Sequence, residues 1–97
     1  MLVLTALERR ITLHGFGIAE TIEQASTAVL HVEEGSLYPA LQRLLLKGWI
    51  SGEWSRTDAN RRARYYRLTP AGRHELNRQL ESYERVTGAI ARVLGMA

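Results

Sequence analysis

Cysteine is absent from this 97-residue chain. That excludes a disulfide framework, a zinc ribbon and thiolate chemistry. Long apolar runs are missing as well. The opening Met1-Leu2-Val3-Leu4 stretch soon meets Glu8, Arg9 and Arg10, far short of the roughly 20 residues that a membrane span needs and poorly matched to a signal peptide. The expected location is therefore the cytoplasm, with no membrane partner. The histidines His14, His31 and His74 show no metal-site spacing, and there is neither a nucleophile placed with a base nor a glycine-rich phosphate loop. An enzyme is not expected, nor is any metal or cofactor.

What is present is ordinary globular composition, 45% hydrophobic and 24% charged, in a chain long enough for one core and too short for two. Charge is unevenly distributed. Residues 1–34 hold two basic and five acidic residues, whereas residues 35–78 hold nine basic and three acidic, a net +6. Arginine supplies all but one of the 13 cations, and its planar fork suits bidentate contacts to phosphate and guanine. Nucleic acid is the leading partner on charge alone.

Apolar periodicity divides the chain. Leu2, Leu4, Leu7 and Ile11 mark a first helix that ends at His14-Gly15-Phe16-Gly17, and Ile18, Ile22 and Ala25 mark a second amphipathic helix. A loop over residues 26–34 precedes a third helix. Ser36 is read as its N-cap, with Pro39 confined to the first turn, Leu37, Leu41, Leu44 and Leu45 buried, and Gly48 as its stop. Ser36, Tyr38, Gln42, Arg43 and Lys47 are left facing outward. Two β-prone runs, residues 49–55 and 63–68, flank the polar turn Arg56-Thr57-Asp58-Ala59-Asn60 and predict a hairpin. Alternation places Ile50 and Trp54 on one face of its first strand and Tyr66 and Leu68 on one face of its second, with Arg64 undecided. Thr69 as N-cap and Pro70 at the first helical position open a last helix. Along it Leu76, Leu80, Tyr83, Thr87, Ile90 and Leu94 recur at an average of 3.5 residues, the period of a two-helix seam, for which a second copy of the chain is the simplest cover.

Three helices followed by a basic hairpin is the order of a winged helix-turn-helix, here mainly α with a small β-hairpin and a C-terminal dimerisation helix. Residues 1–69 would form the DNA-binding domain and residues 70–97 the dimerisation helix. The segment from Glu33 to Leu44 (EEGSLYPALQRL), followed by Lys47-Gly48-Trp49-Ile50, resembles the recognition-helix signature of the PadR family of transcriptional regulators. Arg64-Tyr65-Tyr66-Arg67-Leu68-Thr69-Pro70-Ala71-Gly72-Arg73 is similar to that family's junction between wing and last helix, and His14-Gly15-Phe16-Gly17-Ile18 to its second-helix start. The resemblance implies a repressor-type dimer joined by C-terminal helices, responding to a ligand or stress signal that differs between members. Relative to the family the chain begins at the first helix and ends in a single short helix, so a small-molecule effector would use the dimer core.

On this reading the DNA contacts are Ser36, Tyr38, Pro39, Gln42, Arg43, Lys47, Arg61, Arg62 and Arg64, and the dimer contacts are Leu76, Leu80, Tyr83, Thr87, Ile90 and Leu94. Each has a plainer reading. Tyr38 could pack beside Leu41 and Leu45, Gln42 and Arg43 could be a solvated helix face, the arginines a solvated hairpin tip, and the leucine stripe cover for the first helix. Trp49 and Trp54 could line a ligand site, but they are expected to pack between wing and helices. The expected function is a homodimeric repressor on a palindromic operator; the alternative is a winged-helix protein-interaction module.

Overall fold

The signals along the chain run three helices, a hairpin and a last helix, and the computed structural model, which describes residues 1–10 and 12–96, follows them. The elements are α1 (Leu2–Arg9), β1 (Leu13–His14), α2 (Gly15–Ala25), α3 (Glu34–Leu46), β2 (Ile50–Arg56), β3 (Arg62–Leu68) and α4 (Pro70–Val93). Ile11, expected to extend the first apolar stripe, lies outside the described residues. The result is a winged helix-turn-helix with a C-terminal helix.

One face of each helix is buried. Leu4 and Leu7 of α1, Ile18 and Ile22 of α2, and Leu37 and Leu41 of α3 form one cluster with Ile50, Tyr66 and Leu76. Each such side chain contributes about 1.5–3 kcal/mol when withdrawn from water. Leu44 and Leu45 are half-buried against this core, whereas Leu2 and Ala25 of the expected stripes face solvent.

The sheet holds a strand that periodicity does not reveal. β3 lies between β1 and β2, antiparallel to both, so the hairpin becomes a three-stranded sheet. β1 is only two residues long, pairing Leu13 with Tyr66 and His14 with Tyr65, too short for a period of two to register. His14 also caps α2: the Gly17 N–H donates to its Nδ1 at 2.8 Å. At the far end of the hairpin the turn closes through Thr57 N–H to Arg61 O and Asn60 N–H to Thr57 O, both 2.8 Å. Asn60 supplies the left-handed residue there, with φ 58°.

The third helix starts earlier than expected. Its N-cap is Glu33, so Ser36 lies within the first turn, its N–H donating to Glu33 O, and Pro39 falls in the second turn instead of the first. Proline is tolerated there because the carbonyl it deprives belongs to Gly35, on an exposed turn where water can serve it. The C-terminal stop is as read: Gly48 adopts φ 74°, Gly48 N–H donates to Leu45 O and Trp49 N–H to Leu44 O, the pairing of a Schellman motif.

The chain then turns back on itself at this point. Thr69 N–H donates to Trp49 O at 3.1 Å, and the Thr69 hydroxyl donates to Gly48 O at 2.7 Å while accepting from Gly72 N–H at 3.0 Å. Gly72 approaches so closely that an added Cβ would collide with the Trp49 carbonyl oxygen and lie 2.8 Å from its carbonyl carbon. The start of α4 is thereby fastened to the end of α3.

α4 runs almost the whole expected span, 24 residues, about 36 Å at 1.5 Å per residue, within a molecule 53 Å in its longest dimension. Leu76 near its start is fully buried in the core, and Leu80 is half-buried. Leu76 is therefore covered by its own chain and removed from the expected seam. Beside it, Glu75 accepts from Arg78 Nε and Gln79 Nε2, both at 3.0 Å, and also from Arg78 Nη2. Hydrogen bonds from Arg78 and then Gln79 hold the Glu75 carboxyl down at about 2.

Two outcomes follow. Gly72→Ala is expected to lower stability by about 2–3 kcal/mol in thermal unfolding, because backbone cannot yield as a side chain tip can; Gly35→Ala, with open space around it, is expected to be neutral or slightly stabilising. Glu75 has a depressed folded pKa, so its stabilisation is complete above the ordinary carboxylate value of 4.5 and is lost as pH falls toward 2. Glu75→Gln should flatten the acid limb of stability across that window, measured by urea unfolding at stepped pH.

Candidate nucleic-acid interface

The exposed arc of α3 follows from 3.6 residues per turn. With Leu37 and Leu41 buried and Leu44 half-buried, the opposite side carries Ser36, Pro39, Gln42, Arg43 and Lys47, and all five are exposed. Leu46 shares this open side at 85% exposure, an apolar residue that the stripe analysis passed over. Lys47 stands at the far end of the helix, its ammonium 4.6 Å from the Trp49 ring centroid.

Tyr38, near the start of α3, leans toward α2. It is half-exposed, and its ring and hydroxyl lie over Gly15, where an added Cβ would come within 3.0 Å of the hydroxyl oxygen. Tyr38 thus forms one wall of a cleft of about 660 Å³ between the helices and the wing. His14, Gly15 and Phe16 line its α2 end, and Trp54, Arg61, Arg62, Arg64 and Tyr66 line its wing side. Four of the nine expected DNA contacts, Tyr38, Arg61, Arg62 and Arg64, share this cleft; Ser36, Pro39, Gln42, Arg43 and Lys47 do not line it.

Register explains the wing side. Ile50 pairs with Leu68, Gly52 with Tyr66 and Trp54 with Arg64, so all six residues share the inward face. Arg64, undecided from sequence, thus joins Tyr66. The core reaches only to Ile50 and Tyr66. Trp54 lies beyond it and is 57% exposed, which overturns the expectation that it packs between wing and helices; Trp49 does rest half-buried on the core. Trp54 instead carries the Arg62 guanidinium 4.7 Å from its ring centroid, a cation–π contact that restrains a cation without neutralising it. At the tip, Arg56 Nη1 donates to Asn60 O and Oδ1 at 3.4 and 3.3 Å.

Electrostatics mark the same place. Burial pushes the Tyr66 phenol above its ordinary pKa; the Arg64 guanidinium opposes the rise and the Tyr38 hydroxyl adds to it. Arg64 itself is half-buried, with its guanidinium carbon 5.9 Å from the Tyr66 ring centroid. Its Nε is buried with no hydrogen-bond partner among the described residues, an arrangement that costs about 1–3 kcal/mol. An arginine-lined cleft beside an open helix face offers an anionic backbone several donors at once.

His14 and Phe16 reach the cleft although the sequence reading gave them no site role, and Trp54 reaches it although core packing was the expectation preferred to a place in a ligand site. The only signal for them was aromatic character close to the helix start and the wing. Among the described residues no group of His, Asp and Glu is arranged to hold a metal ion, and no helix is long and apolar enough to cross a membrane.

Comparison with known proteins agrees with the fold. A Streptomyces fradiae protein, described as an uncharacterized 37.1 kDa protein in transposon TN4556, is 41% identical over 90 residues, 93% of this chain. The chain spans 24% of that relative's length. A transcriptional regulator from Clostridium thermocellum superposes with a TM-score of 0.83 at 25% identity, over 94% of this chain and 87% of the other. A PadR family transcription regulator from Clostridium difficile gives 0.80 at 24% identity, over 96% and 94%. Bacillus subtilis PadR, solved in complex with operator DNA, gives 0.70 at 24% identity, over 81% of this chain and 44% of that one. The family model of PadR-like transcriptional regulators matches residues 3–78, most of the sequence, and the chain belongs to that family.

Proposed function

We propose that this chain represses transcription by occupying a palindromic operator as a homodimer, with α3 in the major groove and the wing on the sugar-phosphate backbone. The observation that carries the proposal is a cleft walled on one side by Tyr38 of α3 and on the other by Arg61, Arg62 and Arg64 of the wing, with the exposed residues Gln42, Arg43 and Lys47 of α3 lying outside it. The Bacillus subtilis relative in complex with operator DNA supports it.

Roles follow from chemistry. Gln42 suits adenine and Arg43 guanine; Tyr38, Ser36, Pro39 and Lys47 lie where backbone or base edges pass the helix; Arg61, Arg62 and Arg64 face phosphate or the minor groove. Residues 1–69 then serve as the DNA-binding part. Residues 70–97 join two copies through the outer half of α4, where Tyr83, Val86, Ile90, Val93 and Leu94 are all more than half exposed, with Thr87 between them. Two recognition helices related by a twofold axis would read half-sites about one helical turn apart. An effector that alters their separation would switch the repressor off, acting in the cytoplasm where the operator is.

Selection of bound duplexes from a random library is expected to enrich an inverted repeat. Arg61→Ala with Arg62→Ala should then weaken binding to all sequences and reduce the salt slope by about 2, while Gln42→Ala relaxes base preference at one position per half-site. Sequence-blind binding, or an unchanged salt slope in the wing variant, would count against the proposal and favour a protein-interaction module. Ile90→Glu is expected to yield monomers in sedimentation; a persisting dimer would place the interface elsewhere.

A further inference from the structure

Glycine inside a strand packs nothing and commonly marks a place where another group must come close. Gly52 stands inside β2 on the inward face, opposite buried Tyr66. An added Cβ there would lie 2.5 Å from Arg64 Nε, 3.1 Å from its Cζ and 3.2 Å from its Nη2. The register partner of Arg64 is Trp54, one pair farther along the same face. Arg64 therefore does not extend toward the tip but leans back diagonally over Gly52, toward the root of the wing.

This posture is unfavourable for the folded chain by itself. Nε has lost water without gaining an acceptor among the described residues, and the guanidinium lies near the outer limit at which the Tyr66 ring would attract it. A solvated arginine, as at the neighbouring wing position Arg61, avoids the loss. What the posture achieves is placement: a cation held on the floor of the cleft with much of its side-chain freedom already removed, so less is lost when an anion binds. The planar fork matches the two free oxygens of a phosphodiester.

We infer that Arg64 is a preset ligand for one DNA backbone phosphate passing between the wing and α3, and that Gly52 is the positioning residue that presets it. The inference rests on the DNA-binding reading above. Trp54, carrying Arg62, forms the outer wall of the same seat and Tyr38 the facing wall. Arg61 is a solvated cation at the tip, and its contribution to affinity is smaller than that of Arg64.

The test is a double-mutant cycle on the intact chain, using a duplex of random sequence titrated at two salt concentrations. Arg64→Ala is expected to weaken binding about tenfold and to lower the salt slope by about 1. Gly52→Ala, which leaves every cation in place, is expected to weaken binding to a similar degree, with unfolding temperature equal to or above the parent's because Nε is released to water. The combined variant should bind no more weakly than Arg64→Ala alone. Arg64→Gln, closer in shape, provides a second removal of the charge should the alanine variant unfold. A further loss when Gly52→Ala is added to Arg64→Ala, or parental affinity and slope in both Arg64 variants, overturns the inference while leaving DNA binding intact. A parent chain that binds no duplex at either salt overturns the DNA-binding reading itself.

Discussion

The carbonyl of Trp49 and the backbone of Gly72 meet without room for a side chain, and Thr69 bonds to Gly48 and Trp49 from the same turn. This contact joins the end of α3, the first residue of β2, the last of β3 and the first turn of α4. Because the Ile50 and Leu68 pair at the root of the hairpin lies directly beside it, the direction in which the wing leaves the core is set there. The cleft between wing and recognition helix has its width for the same reason. Without the junction, the hairpin would be held to the core chiefly by its own root and the two-residue pairing with β1, and short ribbons are marginal alone. β1 reinforces it from the other side by pairing with β3.

Charge is arranged around this frame. The acidic segment, residues 1–34, builds α1 and α2, while the basic segment supplies α3, the wing and the start of α4. Neither of two wing arginines lies against a carboxylate among the described residues: Arg62 is restrained over the Trp54 ring, and Arg64 leans over Gly52 with the Tyr66 ring at the edge of reach. A carboxylate partner would cancel the charge, whereas an aromatic face limits motion and leaves the charge available. The contrast with Glu75 and Arg78 on α4 is direct, since that pair neutralises itself against the core.

Much of this was legible in the sequence where a residue's role depends on its immediate neighbours. The Thr69 cap, Pro70 after it, the Gly48 stop and the hairpin with its polar turn are local chemistry, and all stand in the structure. His14 as a cap was not legible, because histidine lies outside the usual capping set. The early start of α3 was hidden because Ser36 is a better cap by type than Glu33, and nothing in the sequence says that Gly35 exempts Pro39 from the first-turn rule. In the α4 stripe, periodicity named one continuous face but could not say where the chain's own core ends; Leu76 falls inside it and Ile90 outside.

By itself, then, the sequence determined the order of the elements, the buried faces of α1 to α3 and the concentration of arginine between residues 35 and 78, since each depends on spacing or composition along the chain. The third strand, the extent of the core along the wing and along α4, and the resting of Arg64 on Gly52 were decided only by the tertiary structure. They arise between residues far apart in sequence or on neighbouring strands. Which groups share a surface there depends on register and on the close approach at Gly72, and neither is encoded in any single segment.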